Sequence, residues 1–203
     1  MRVFIAGGTG VIGSRVAALL AVQGHEVAAT SRSIDRVKSL AGGQNLDHGG
    51  VVGMVVDILD GDGLAAAVRD FAPDVVMHQV TDLPGSRLLL PFRLRQLGRV
   101  RTRGTDNLVA AASAVGARVI AQSVAFPLPR VAQRPIDHLE HAVLATAGLV
   151  LRYGAFYGEG TWSLTPVGER PVHVDTAARA TVDALGEPTG VLDVLDAGVT
   201  RIR

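Results

Sequence analysis

The most constraining feature of this chain is its start. An apolar run, Val3-Phe4-Ile5-Ala6, leads without a break into Gly7-Gly8-Thr9-Gly10-Val11-Ile12-Gly13, and helical periodicity follows. A strand, a glycine turn and a helix start in that order build an anion site. Gly7 permits the tight turn, Gly10 lets backbone approach a pyrophosphate, and Gly13 lets helix pack on strand. Unpaired N–H groups and the helix dipole then favour phosphate oxygens. The spacing is G-x-x-G-x-x-G rather than G-x-G-x-x-G. The alternative is a purely structural turn. The dinucleotide reading assigns Gly7, Thr9, Gly10, Val11, Ile12 and Gly13 to the cofactor.

The rest of the chain continues the alternation. Strands are expected at 3–6, 26–30, 51–56, 74–78, 118–123 and 149–153, with a short one at 172–174. Helices are expected at 11–23 (closed by Gly24), 34–41, 64–71, about 100–115, 136–147 and 175–185. Residues 42–50 read as a Gly-rich loop. Residues 83–98, with Pro84, Gly85 and Pro91, also read as a loop, and Pro127, Pro129 and Pro135 as an irregular connection. Strand–helix alternation of this kind gives an α/β fold: a Rossmann-type doubly wound parallel sheet with helices on both faces. Residues 1–158 are expected to form the dinucleotide-binding part. Residues 159–203 are expected to form a reduced substrate-side segment packed on it, within one compact domain.

Composition narrows the function class. Of 203 residues 48% are hydrophobic and only 4% aromatic, which suits a sheet core of small branched side chains. The net charge of +1 supplies no field for nucleic acid or a membrane surface. With no cysteine, disulfides and thiolate metal sites are excluded. The first apolar run is too short for a signal peptide, and no stretch reaches the roughly 18 residues of a spanning helix. A soluble cytoplasmic protein is expected.

The second strand bears on cofactor choice. An NAD site usually carries an acidic residue at its end, accepting from the ribose. Here the sequence reads Ala28-Ala29-Thr30-Ser31-Arg32, with no carboxylate before Asp35. The Arg32 fork suits a 2′-phosphate, Ser31 can donate to it, and Arg36 can stack on adenine or add charge. NADP(H) is therefore favoured and NAD(H) remains possible; the alternative for Arg32 is a solvated loop residue. Asp57, with Ile58 beside it, can accept from the adenine amino group or cap the next helix, a role better suited to Asp60 and Asp62. His78 reads as a satisfied structural histidine sooner than a catalyst. Gln79 and Val80 follow where the strand end opens into the crevice.

These residues resemble the extended short-chain dehydrogenase/reductases, in particular the NAD-dependent epimerase/dehydratase group. The similarity runs from residue 1 to about 185. It is carried by the glycine loop, Val55-Val56-Asp57-Ile58-Leu59-Asp60, Val75-Val76-Met77-His78-Gln79-Val80, Gly104-Thr105-Asp106-Asn107-Leu108, Leu151-Arg152-Tyr153-Gly154-Ala155-Phe156-Tyr157-Gly158 and Val172-His173-Val174-Asp175. The resemblance implies hydride transfer between nicotinamide and a substrate carbonyl or hydroxyl carbon. It places Ser123 as the group that polarises the oxygen and Tyr153 beside the cofactor.

It also implies a Tyr-x-x-x-Lys relay, in which the lysine lowers a phenol pKa near 10. Counting back from Glu140, those places fall near Ala132 and Ile136. No Tyr or Lys lies between Ser123 and Glu140; the tyrosines are Tyr153 and Tyr157, and the single lysine is Lys38. The expected function is an atypical NADP-dependent reductase acting on a carbonyl of a small organic substrate. Its proton would come from water, the substrate, Tyr157 or His138, although Tyr157 also reads as a packing aromatic. His138 and His141 share a helix face and read as a solvated pair sooner than a metal site. Two alternatives stay open: a cofactor-binding regulator without turnover, and a non-redox isomerase or cyclase. A homodimer is possible by analogy.

Overall fold

The computed structural model describes residues 1–41, 50–81 and 90–202. Ten strands and seven α-helices alternate along them. The strands are β1 (Arg2–Ala6), β2 (Glu26–Ser31), β3 (Val51–Val55), β4 (Val75–His78), β5 (Arg118–Val124), β6 (Leu149–Tyr153), β7 (Ala155–Tyr157), β8 (Pro171–His173), β9 (Gly190–Leu195) and β10 (Gly198–Arg201). The helices are α1 (Val11–Val22), α2 (Ile34–Ala41), α3 (Gly61–Phe71), α4 (Leu90–Arg99), α5 (Thr105–Ala114), α6 (Arg130–Ala145) and α7 (Val174–Asp183). One sheet takes the order β10-β9-β6-β5-β4-β1-β2-β3, and β7 pairs with β8 in a separate ribbon. All neighbours in the large sheet run parallel except the terminal β9–β10 pair. This is the Rossmann-type α/β fold that the alternation implies.

Two apolar layers cover the sheet. On one face Val3, Ile5, Met77, Ile120 and Leu151 pack with Val16 and Leu20 of α1 and Ala177 and Ala178 of α7. On the other, Phe4, Val76, Val119 and Val150 pack with Leu64 and Val68 of α3, Leu108 and Ala112 of α5, and Leu139 and Val143 of α6. Alternate residues of each strand serve opposite layers, which is why these strands read as continuous apolar runs. The central strands β1, β4 and β5 end on the same side, so their carboxyl ends border one crevice.

Several elements differ from the sequence expectation. The loop expected over 83–98 is helical from Leu90. Pro91 falls in the first helical turn, where its missing N–H has no intrahelical partner to lose. Residues 42–49 of the loop expected at 42–50, and the part of the 83–98 segment before residue 90, lie outside the described residues. Pro129 caps α6 and Pro135 lies inside it, so the helix begins six residues earlier than expected. The Pro135 ring neighbours Gly98 of α4, where a Cβ would make an ordinary 3.6 Å contact with it. Between α4 and α5 the chain makes a π turn at Val100–Gly104. The tail, which shows little periodicity, supplies β9 and β10. Asp193 interrupts the apolar run of β9 and hides it, and Arg170 pairs with that carboxylate.

Candidate active site

The glycine turn has the steric character its sequence suggests. Gly7 adopts φ +83°, and a Cβ there would lie 2.9 Å from the Gln79 carbonyl carbon. A Cβ on Gly13 would run into the Gly7 carbonyl oxygen, which fixes the approach of α1 to β1. Gly10 caps α1, and a Cβ there would meet only one atom, the Gly7 oxygen at 3.2 Å. The first intrahelical bond runs from the Ser14 amide to the Gly10 carbonyl, so the amides of Val11, Ile12 and Gly13 have no acceptor within the helix. No acidic side chain occupies that first turn. A pyrophosphate fits this arrangement of open backbone and unpaired donors. Thr9 is half-buried in the turn, Val11 packs at the edge of the core and Ile12 is buried within it.

Further along the same edge, Ser31 ends β2 and its hydroxyl accepts from the Ser33 amide at 3.2 Å. Ser33 in turn accepts from the Arg36 amide at 3.4 Å. Arg32 and Arg36 are both exposed. Asp57 accepts from the Leu59 amide at 2.9 Å, while Asp60 caps α3 by accepting from Gly63. Ile58 is buried beside Gly104, and its carbonyl accepts from Asn107 at 3.0 Å. The Asn107 contact ties α5 to this turn.

At the end of β4, His78 is buried and its Nε2 lies 3.1 Å from the Thr105 hydroxyl. Burial, then the nearby Arg101 charge, lowers the His78 pKa to about 4, so the ring is neutral at pH 7. Gln79 turns to the opposite face and is 5% exposed; neither carboxamide atom makes a hydrogen bond of good geometry among the described residues. It does lie close enough to the Tyr153 hydroxyl to act on it electrostatically. Tyr153 is fully enclosed, with its hydroxyl 2.6 Å from Thr181 Oγ1, and burial pushes its pKa up to about 12. Val80 is half-buried at the edge of the α3/α5 layer.

On β5, Ser123 is 1% exposed and its hydroxyl donates to Glu140 Oε1 at 2.6 Å. Arg152 of β6 donates to both oxygens of the same carboxylate, from Nε at 2.8 Å and Nη2 at 2.5 Å. Hydrogen bonding to Glu140 raises the Arg152 pKa. Sequence reasoning singled out Ser123 but missed this clamp, because Glu140 and Arg152 meet only when α6 packs across β5 and β6. Arg101 was missed too. It lies one turn before Thr105, and desolvation lowers its guanidinium pKa.

Tyr157 lies apart from Ser123's network. Its hydroxyl donates to Asp196 at 2.9 Å, and its ring meets His173 edge-on at 5.0 Å. The hydrogen bond to Asp196 raises its pKa. His138 pairs with Asp106 at 2.7 Å, and among the described residues no group of three or more ligating side chains gathers. Arg15 of α1 binds Asp175 at 2.8 Å and the Glu159 carbonyl at 3.0 Å, so the segment after β7 is drawn onto the start of α1. No described helix is long and apolar enough to cross a membrane.

Residues 3–142 match the family described as the NAD dependent epimerase/dehydratase family. A 3-diazoavenalumate denitrifying reductase from a Streptomyces species is 36% identical over 241 aligned positions, which cover 97% of this chain and 76% of that protein. The Bordetella bronchiseptica enzyme WbmH, solved in complex with NAD+, superposes with a TM-score of 0.77 at 20% identity, covering 98% of this chain and 77% of that one. The UDP-glucose 4-epimerase of Thermus thermophilus, solved with NAD, gives 0.73 at 22% identity, covering 99% and 79%. At these identities the structural likeness establishes the fold.

Proposed function

The chain belongs to the NAD dependent epimerase/dehydratase family, and from that premise we propose that it is an NADPH-dependent reductase of small organic substrates that works without a tyrosine–lysine relay. The observation that carries the reading is the turn at Gly7, Gly10 and Gly13, with open backbone and three helix-start amides lacking acceptors.

In this reading Gly7, Thr9, Gly10, Val11, Ile12 and Gly13 hold the pyrophosphate. Ser31, Arg32 and Arg36 hold the 2′-phosphate side, and Asp57 and Ile58 the adenine. Gln79, Val80 and Tyr153 border the nicotinamide end. The bound cofactor supplies a hydride. Ser123 would turn its one O–H from Glu140 to the acceptor's oxygen, with Arg152 holding the carboxylate it leaves. Of the segment 159–203, the stretch between β7 and β8 borders the substrate side, while α7, β9 and β10 complete the core and sheet. Tyr157 stays in the proposal as a proton source, but its raised pKa makes it a weak one at neutral pH.

One observation favours a second acceptor besides a carbonyl. Helix α6 carries neither Tyr nor Lys, and the 36% identical relative is named for denitrifying a diazo compound. A cationic diazo group that gains hydride forms a C–H bond and leaves as dinitrogen. That balance needs no phenol to protonate a developing alkoxide.

The test is titration with NADPH and NADH, followed by carbonyl and diazo acceptors with loss of nicotinamide absorbance as the readout. Acceptor-dependent NADPH consumption supports the reductase. Binding without consumption by any acceptor points to a regulator, and substrate conversion without consumption to an isomerase or cyclase.

A further inference from the structure

We propose that Arg101 is an anion-binding residue at the substrate end of the crevice, and that the substrate carries a carboxylate which it holds. The proposal rests on the reductase reading and adds a substrate class to it.

Arg101 sits on the π turn, and Thr105, four residues on, shares its side of the helix. The Thr105 hydroxyl donates to the Arg101 carbonyl at 2.9 Å and meets His78 at 3.1 Å. The same side of the helix therefore faces the carboxyl end of β4, with Arg101 one turn beyond His78. Its neighbours Arg99 and Arg103 are exposed, whereas Arg101 is half-buried. His78 pairs in register with Ala121, two residues before Ser123 on the same sheet face. Arg101 thus lies over the face that carries Ser123 and Glu140. The glycine turn leads into α1, which packs in the opposite layer.

The other half-buried arginines among the described residues are matched: Arg2 to Glu26, Arg15 to Asp175, Arg152 to Glu140, and Arg118 to the Leu185 and Glu187 carbonyls. Among the described residues no carboxylate or carbonyl accepts from the Arg101 side chain. The acids on adjoining elements are engaged elsewhere. Asp106 binds His138, Glu140 binds Ser123 and Arg152, and Asp57 binds the Leu59 amide. The neighbouring histidine is neutral and adds no second cation. A desolvated guanidinium without an acid beside it is costly, and an incoming anion offsets the cost. The planar fork matches a carboxylate through two parallel hydrogen bonds.

The experiment uses the full chain saturated with NADPH, with 4-fluorobenzoate and 4-fluorobenzamide as probes followed by fluorine NMR. Expected is a preference of about tenfold or more for the benzoate, lost in Arg101→Gln and partly restored in Arg101→Lys, with NADPH affinity unchanged in both. Equal binding of the two probes to the wild type, or no binding of the benzoate, overturns the proposal. So does a weakening of NADPH in Arg101→Gln as large as that of the benzoate, which would assign the arginine to a cofactor phosphate. Turnover is read separately on acceptors bearing a free carboxylate and on their methyl esters. If no acceptor consumes NADPH while the Arg101-dependent benzoate preference persists, the reductase reading fails and the anion site stands.

Discussion

Ser123 and Glu140 are joined by a buried 2.6 Å hydrogen bond in which the serine donates to a carboxylate that Arg152 grips from β6. The pair couples the end of β5 to α6 and fixes the direction of the serine hydroxyl. Two substitutions separate its structural and chemical roles. Glu140→Ala takes from Arg152 its hydrogen-bonded acid and leaves only the more distant Asp193 and Asp137 charges, and a loss of about 3 kcal/mol of stability is expected from urea unfolding. Ser123→Ala removes one small hydroxyl and is expected to lower turnover while NADPH affinity stays unchanged. An unaltered rate in Ser123→Ala removes that residue from the mechanism.

The glycine turn makes a sharper demand. An alanine at position 7 must adopt φ +83° with its Cβ 2.9 Å from the Gln79 backbone. A strained conformation of this kind costs on the order of 1–3 kcal/mol, and relief would move the turn away from β4. Gly7→Ala is expected to weaken NADPH binding at least about tenfold and to lower the thermal midpoint. Calorimetric titration that finds wild-type affinity in this variant would remove the turn from the binding site.

Arg32 follows the last residue of β2 and is exposed. A guanidinium–phosphate contact at a solvated edge discriminates modestly, so Arg32→Ala is expected to weaken NADPH by about tenfold, or about 1.4 kcal/mol. NADH should change little. Equal effects on the two cofactors would sink the preference for NADPH.

The parts that were legible in the sequence are those fixed by local chemistry. Val3 to Ala6, the three spaced glycines and the apolar face of α1 determine one strand, one turn and one helix through contacts within a few residues. The Asp60 cap of α3 is legible for the same reason, since it accepts from Gly63 three positions on. Pro135 misled because a proline normally ends a helix, whereas here the ring packs on Gly98, far away in sequence. Strand β9 was hidden by Asp193, whose partner Arg170 lies 23 residues earlier. The Glu140–Arg152 clamp and the place of Arg101 beyond His78 depend on how helices cross the sheet, and no residue spacing encodes that.

His78 gives the fold a pH dependence that can be worked out in sign. Its folded pKa of about 4 lies below the ordinary 6.5, chiefly through burial and secondarily through the Arg101 charge. Below about pH 6.5 the unfolded chain takes up a proton at this ring that the folded chain refuses until about pH 4. Stability from this residue is therefore full above pH 6.5, falls as the pH drops through that window, and stops falling below it. The loss amounts to at most about 3 kcal/mol. His78→Leu removes the proton uptake, while the Thr105 hydroxyl keeps its bond to the Arg101 carbonyl. Urea unfolding across pH 4 to 7 is expected to show a flatter acid limb in the leucine variant than in the wild type. Arg101→Gln removes the opposing charge, so its acid limb should begin to level off at a higher pH than that of the wild type. Identical acid limbs in the wild type and His78→Leu would mean that the ring is not kept neutral by the fold.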